Sequence, residues 1–99
     1  MKANEFKEGM VLCATWHYSM VIPQFYVVLR NTGKTIIAQE VGHMIVEHDG
    51  YGQEGRMVPD LSKMGKKETR RIDKWGEVRL GGALARAWDG RPVNFDYYD

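Results

Sequence analysis

The chain has 99 residues, of which 43% are hydrophobic and 27% charged, and its formal net charge is +1. This length allows one small domain, residues 1–99, and the near-neutral charge supplies no general attraction to DNA or to an anionic membrane. The sequence contains no apolar run that could span a bilayer, and its single cysteine, Cys13, cannot form an internal disulfide. We therefore expect a cytoplasmic protein that binds no membrane.

Glycine and proline divide the chain into short pieces. There are 11 glycines and 3 prolines, and no segment keeps the apolar spacing of an amphipathic helix. Pieces rich in β-branched and aromatic residues favour strands. The first strands are predicted at residues 10–16 and 24–30, with Pro23 either ending the pairing of one strand or beginning the next.

The clearest local signal is the Asn-Thr-Gly sequence at residues 31–33, which separates two β-rich runs. Three residues with glycine in third place predict a hairpin whose type I turn is closed by a left-handed Gly33. In this register Val27 lies opposite Ile37, and we expect the two side chains to be buried neighbours.

The remaining segments follow the same pattern of short strands and glycine-rich breaks. Residues 41–47 continue as strand with a bulge at Gly42, and residues 49–55 are predicted as a loop. We predict a short return at 56–59, a polar connection at 61–68, and strands at 70–75, 77–80, 84–88 and 91–97. For residues 84–88 the alternative is one helical turn. The predicted fold is mainly β, a small antiparallel SH3-like barrel or strongly bent sheet of five to seven short strands.

Several short motifs resemble those of a family of small accessory proteins of phages and prophages. They are residues 10–19, Phe-Tyr-Val-Val at 25–28, Thr-Gly-Lys-Thr-Ile at 32–36 and Ala-Trp-Asp-Gly-Arg-Pro at 87–92. The family has a glycine where His17 stands and a glutamine where Val27 stands. The shared motifs are aromatic pairs and turns. The resemblance therefore implies a genetic setting, that of an accessory gene of a mobile element, and no particular activity. Small proteins in this setting often block host machinery, including restriction and CRISPR nucleases.

No group of residues carries the spacing of a catalytic or metal site. Cys13 and His17 lie on one face of a predicted strand but roughly 13 Å apart, and a regular strand sends His43 and His48 to opposite faces. Cys13 lies within the most apolar run, which favours a buried and unreactive thiol over a nucleophile. We expect no enzyme activity, no metal and no cofactor.

Charge is distributed unevenly along the chain. Residues 63–74 contain six basic and two acidic side chains, whereas residues 40–60 contain five acidic and one basic. This pattern fits three alternatives: a solvated surface whose halves pair with each other, a protein-docking surface, or a nucleic-acid patch. The basic residues proposed for partner binding are Lys66, Lys67, Arg70, Arg71 and Lys74.

The abundant aromatic residues divide into core candidates and contact candidates. Trp16, Phe25, Trp88 and Phe95 are expected in the core. Tyr18 and Tyr51 are predicted in loops, where tyrosine is a frequent interface anchor.

These observations favour a non-enzymatic protein that binds and blocks a host protein, with a CRISPR effector nuclease as one candidate target. The alternative is a small β-barrel that binds nucleic acid, which needs aromatic residues interleaved with the basic ones on one face.

Overall fold

A computed structural model of the chain describes residues 2–17, 19–51 and 53–97. A 3₁₀-helix at Ala3–Glu5 precedes seven strands, and every strand pairing is antiparallel. The strands are β1 (Val11–His17), β2 (Val21–Asn31), β3 (Thr35–His48), β4 (Glu54–Arg71), β5 (Arg79–Leu80), β6 (Ala83–Ala87) and β7 (Val93–Asp96). The predicted mainly β fold is confirmed. Residues 84–87 of the segment predicted at 84–88 lie in β6, and Trp88 follows the end of that strand.

The sheet bends until its strands close into a ring. One edge of β2 pairs with β3 and, through Val21, with Asp96 of β7. β4 pairs with both β3 and β7, so the order β2-β3-β4-β7 returns to β2. The other edge of β2 pairs with β1, to which β6 and then β5 are added.

Pro23 determines where β2 and β3 separate. The backbone N–H and C=O of Val28 bond to residues beside β1, so by alternation the backbone groups of residues 23, 25 and 27 point towards β3. Proline has no N–H to give to a ladder. The β2–β3 pairing ends accordingly at Phe25 and Val41, although Pro23 remains paired with Thr15 of β1. Pro23 thus ends pairing on one edge while lying inside the strand.

The β2–β3 hairpin forms where predicted, with a different turn. The N–H of Thr32 donates to the carbonyl of Thr35 at 3.1 Å, so Gly33 and Lys34 are the central residues. Gly33 has a φ of 87°, and glycine at the first of two central positions is typical of a type II′ turn. The N–H of Gly33 also donates to Oδ1 of Asn31 at 2.8 Å.

The two-residue turn changes the register from the predicted one. Ile37 lies opposite Arg30, and Val27 lies opposite Gln39. The pairing is interrupted between Val28 and Arg30, which leaves Leu29 as a bulge. The prediction that Val27 and Ile37 are buried neighbours is therefore wrong, because the turn lies at Gly33 and Lys34 and the bulge at Leu29 shifts the register again. Both side chains are also partly exposed.

β4 is one long strand where the sequence predicted a short return and a polar connection. It pairs with β3 from Arg71 opposite Thr35 to Gly55 opposite His48. Residues 61–63 bulge between the pairs formed by Asp60 and Met64. The sequence of 61–68 is polar because most of its side chains are exposed, which removes the alternation that identifies a strand.

The strands predicted at 70–75 and 77–80 are shorter than expected. β4 ends at Arg71, and β5 contains residues 79 and 80 alone. Between them Oδ1 of Asp73 accepts hydrogen bonds from the backbone N–H groups of Trp75 and Glu77, both at 2.9 Å. This carboxylate closes a turn within the segment predicted as strand.

Hydrophobic side chains form one cluster on each face of the sheet. The covered face carries the larger cluster beneath the N-terminal segment and the β5–β6 hairpin, and it includes Phe6, Leu12, Tyr26, Val28, Ile36, Ala38, Val78 and Leu80. Asn31 attaches the N-terminal segment, since its Nδ2 lies 2.8 Å from the carbonyl oxygen of Phe6 and 3.1 Å from that of Ala3.

The opposite face is covered only at the end near β7. There Phe25, Val41, Met57 and Phe95 are buried, and Trp88 packs against them. Trp16, predicted in the core, is 42% exposed. β6 pairs with β1 only at residues 12–14. Trp16 therefore lies beyond the β5–β6 hairpin that covers Leu12 and Ala14.

Replacing Gly33 with valine should destabilise the fold by about 1–3 kcal/mol, because a β-branched residue is strained at positive φ. A Cβ at Gly33 would meet no atom within 4 Å, so steric contact contributes nothing. Urea unfolding measures the loss, and Lys34→Ala in the same turn is the control. An unchanged midpoint for Gly33→Val would contradict the turn geometry.

Tyr26 should make the fold sensitive to alkaline pH. Burial, helped by the carboxylates of Glu68 and Glu40, raises the pKa of Tyr26 from 10.0 to about 12. The unfolded chain loses this proton first, so the tyrosine's contribution is complete below pH about 10 and is lost as pH rises to about 12. Urea midpoints across this window should fall less steeply for Tyr26→Phe than for the wild type. Parallel slopes would show that Tyr26 does not cause the loss.

Candidate protein-docking face

The alternation of β3 places a group of polar and basic side chains opposite the covered face. Ile36 and Ala38 are buried on the covered face, so Ile37 and Gln39 lie on the other. The strand pairing extends this row across three strands, because directly paired residues share a face. We call the result the basic face: Val27 and Arg30 on β2, Thr35, Ile37 and Gln39 on β3, and Lys67, Thr69 and Arg71 on β4.

The basic face combines a half-buried centre with exposed cations. Val27, Ile37 and Gln39 are partly exposed, whereas Arg30, Lys67 and Arg71 are exposed. None of these three cations forms an ion pair with another residue that the structure describes.

The acidic neighbours of the basic face lie on the other side of the sheet. Glu40 is paired with Tyr26 and Glu68 with Ala38, and both partners belong to the covered cluster. The carboxylate of Glu68 already has two partners. Its Oε1 lies 3.0 Å from Nε of Arg70 and accepts a hydrogen bond from the backbone N–H of Gly81. The positive charge of the basic face is therefore not neutralised by these carboxylates.

The structure separates the five basic residues proposed from the sequence. Lys67 and Arg71 lie on the basic face. Arg70 points to the covered side and pairs with Glu68, and Lys66 alternates with Lys67 along β4. Lys74 follows the end of the strand, where its Nζ lies 4.6 Å from the ring centre of Trp75.

The acidic and basic segments lie at opposite ends of the β3–β4 pair. The described residues 42–51 and 53–60 form what we call the arm, and the basic half of β4 pairs with residues 35–41 of β3. Between the described parts of the two segments the one ion pair joins Lys63 to Asp60 at 4.0 Å. Among the ion pairs of the described residues, this contact alone supports mutual neutralisation of the two segments, one of the three sequence alternatives.

Tyr51 lies at the tip of the arm and is 83% exposed. The strand rise of about 3.4 Å per residue places it up to roughly 30 Å from the basic face. Tyr18, the other proposed tyrosine, lies outside the described residues.

A cleft of about 440 Å³ opens on the same side of the sheet as the basic face. Its lining comprises Cys13, Thr15, His17, Leu84, Arg86, Ala87, Trp88, Asp89 and Val93. Cys13, Thr15 and His17 alternate along β1, and Arg86 is paired with Cys13. Trp88 forms a wall, because its Nε1 donates to the carbonyl of Arg91 at 2.7 Å and its ring meets Phe25 edge to face.

The thiol of Cys13 is half-buried in this cleft, whereas the sequence predicts a buried thiol. Burial raises the pKa of Cys13; the hydroxyl of Thr15 lowers it by hydrogen bonding, and the carboxylate of Asp89 raises it. A thiol held in its protonated form is a weak nucleophile.

Sequence reasoning missed Arg30 and the cleft. Arg30 joins the basic face only in the register set by the two-residue turn and the bulge at Leu29. The cleft depends on β6 lying beside β1, a pairing over about 70 residues of sequence that no local pattern specifies.

Comparison of the chain with protein-family models, curated proteins and solved structures finds no match. Among the described residues, His, Cys, Asp and Glu side chains form no group of three or more that could hold a metal ion. The described part of the chain also contains no helix with the length and apolar character needed to cross a membrane.

Cys13 should react slowly with a thiol reagent in the native protein. The raised pKa lowers the thiolate fraction, and the cleft walls restrict access. Labelling by N-ethylmaleimide, followed by mass spectrometry, should be much slower in buffer than in denaturant at the same pH. Equal rates would contradict both the burial and the pKa shift.

Proposed function

We propose that the protein is a non-enzymatic binding module that docks on an acidic surface of another protein through its basic face. The observation that carries the proposal is the set of exposed cations Arg30, Lys67 and Arg71 on one side of the sheet, which form no ion pair with any residue that the structure describes. Complementary charge directs such a surface to an acidic partner and accelerates association.

The composition of the basic face also supports docking on a protein. The partly exposed apolar side chains Val27 and Ile37 lie at its centre, with the polar Gln39 and the charges around them. An apolar centre with a polar rim is the usual anatomy of a protein interface. Arginine is enriched in such interfaces because its planar guanidinium pairs with carboxylates in two-point contacts.

The motif resemblance supports a partner that belongs to a bacterial host. By occupying an acidic surface of the host protein, this protein would prevent the natural ligand of that surface from binding. A defence nuclease such as a CRISPR effector is one candidate, because nuclease centres use carboxylates to hold metal ions.

Nucleic-acid binding is the second candidate, since the same cations would contact phosphates. Binding of single strands draws much of its free energy from bases stacked on aromatic rings. The described residues of the basic face include no aromatic side chain, and Tyr26 of β2 lies on the covered face. The arrangement therefore favours a protein partner.

Reversing the charge of the basic face should abolish capture of the partner. We compare Lys67→Glu/Arg71→Glu with Lys66→Glu/Lys74→Glu, a control with the same change in net charge outside the basic face. The immobilised proteins are incubated with bacterial lysate, with and without nuclease, and bound proteins are identified by mass spectrometry. A specific partner should survive nuclease, remain with the control and be lost with the first variant.

The association rate is then measured with the purified partner. Association should slow by about tenfold or more for Lys67→Glu/Arg71→Glu, and the difference should shrink as salt rises. Loss of the captured material on nuclease treatment would favour nucleic acid. Equal capture by both variants would contradict docking through the basic face.

A further inference from the structure

We propose that the cleft beside Trp88 receives an aromatic side chain from an acidic segment of the partner. The inference rests on the proposed function, because it assigns to the same interface a pocket for an anchor residue. The cleft holds about 440 Å³, which is more than enough for one aromatic side chain and lies within the range of ligand pockets.

The cleft is continuous with the basic face. The backbone N–H of Trp88 donates to the carbonyl of Val11 at 2.9 Å, which fixes the tryptophan beside β1. Val11 is in turn paired with Val27, and Val27 with Gln39 and then Lys67. One row of partly exposed residues thus leads from the cleft to the cations, so a single extended segment could contact both.

The walls of the cleft suit an aromatic ring. Leu84, Ala87 and Val93 supply apolar surface. The ring of Trp88 is held by its bond to Arg91, so little ordering is required when a ligand enters. The half-buried sulfur of Cys13 offers the soft contact that aromatic rings favour.

The rim of the cleft suits an acidic neighbour of that ring. Arg86 is exposed and pairs with no carboxylate among the described residues. Asp89 also lines the cleft, but its Oδ1 accepts the backbone N–H of Arg91 at 2.9 Å and is engaged in its own turn. A carboxylate next to the aromatic residue of the partner segment would pair with Arg86. Other carboxylates of the same segment would pair with the cations of the basic face.

Cys13 provides a direct reporter, because the sole cysteine of the chain lines the cleft. The probe is a blocked pentapeptide with phenylalanine between two pairs of aspartates. At about ten times its dissociation constant, the peptide should slow labelling of Cys13 by N-ethylmaleimide about tenfold. The same peptide with alanine in place of phenylalanine should bind more weakly and give no such protection.

Variants in the apolar wall and at the charged rim of the cleft measure the contribution of each to peptide binding. Leu84→Ala should weaken the phenylalanine peptide about tenfold and leave the alanine peptide unchanged, whereas Leu61→Ala in the exposed bulge of β4 should affect neither. Arg86→Gln should weaken both aspartate peptides, with Arg79→Gln as the matched control. Because protection is measured on the wild-type chain, the test does not depend on the folding of Leu84→Ala.

The outcomes distinguish this inference from the proposed function. Binding that depends on Lys67 without protecting Cys13 would overturn the cleft as the anchor site and leave docking intact. Protection of Cys13 that is indifferent to Lys67→Glu would support the cleft and contradict the basic face. Failure of the phenylalanine peptide to bind at about 1 mM would overturn the cleft inference outright.

Discussion

The structure depends on the way β2 divides its hydrogen bonds. Every residue of a strand directs its backbone groups to one side or the other, and β2 uses one side for β1 and the other for β3 and β7. Pro23 interrupts the second side by removing one donor. β3 can then leave β2 and run outwards with β4, while the start of β2 meets β7. A missing N–H thus permits both the closed ring and the arm.

The same division explains why a stretch of one face of the sheet stays open to a partner. The N-terminal segment, held by Asn31, and the β5–β6 hairpin cover one face along most of its length. On the other face β7 reaches only the end near Phe25 and Met57. The part left open is where the hairpin places Arg30, Lys67 and Arg71. Sheet coverage, and not an excess of charge in the whole chain, creates the candidate docking surface.

The sequence was informative where local chemistry decides the structure. Turn glycines and β-rich runs were sufficient for the antiparallel class, for the β2–β3 hairpin and for β6. Prediction failed where the turn sets the register of the strands. The pattern at 31–33 suits two turn types, and the turn that forms places Ile37 opposite Arg30. It also failed for residues 61–68 of β4, because most of their side chains are exposed and the polar sequence lacks the alternation that identifies a strand. Of the candidate site, residues 67 and 71 were identified by charge, but their separation from residues 66 and 70 required knowledge of the faces.

The pairing of Val21 with Asp96 has a consequence for synthesis on the ribosome. The β2–β3 hairpin joins residues close in sequence and can form as soon as it leaves the exit tunnel, since local contacts need little loop closure. The ring cannot close until β7 has emerged, because its two ends lie far apart in the chain. Until then β2 carries an unpaired edge at its beginning, and Phe25 and Met57 lack the cover that Phe95 provides. The nascent chain therefore passes through an incomplete state with exposed apolar surface, in which encounters with other chains or with chaperones compete with closure.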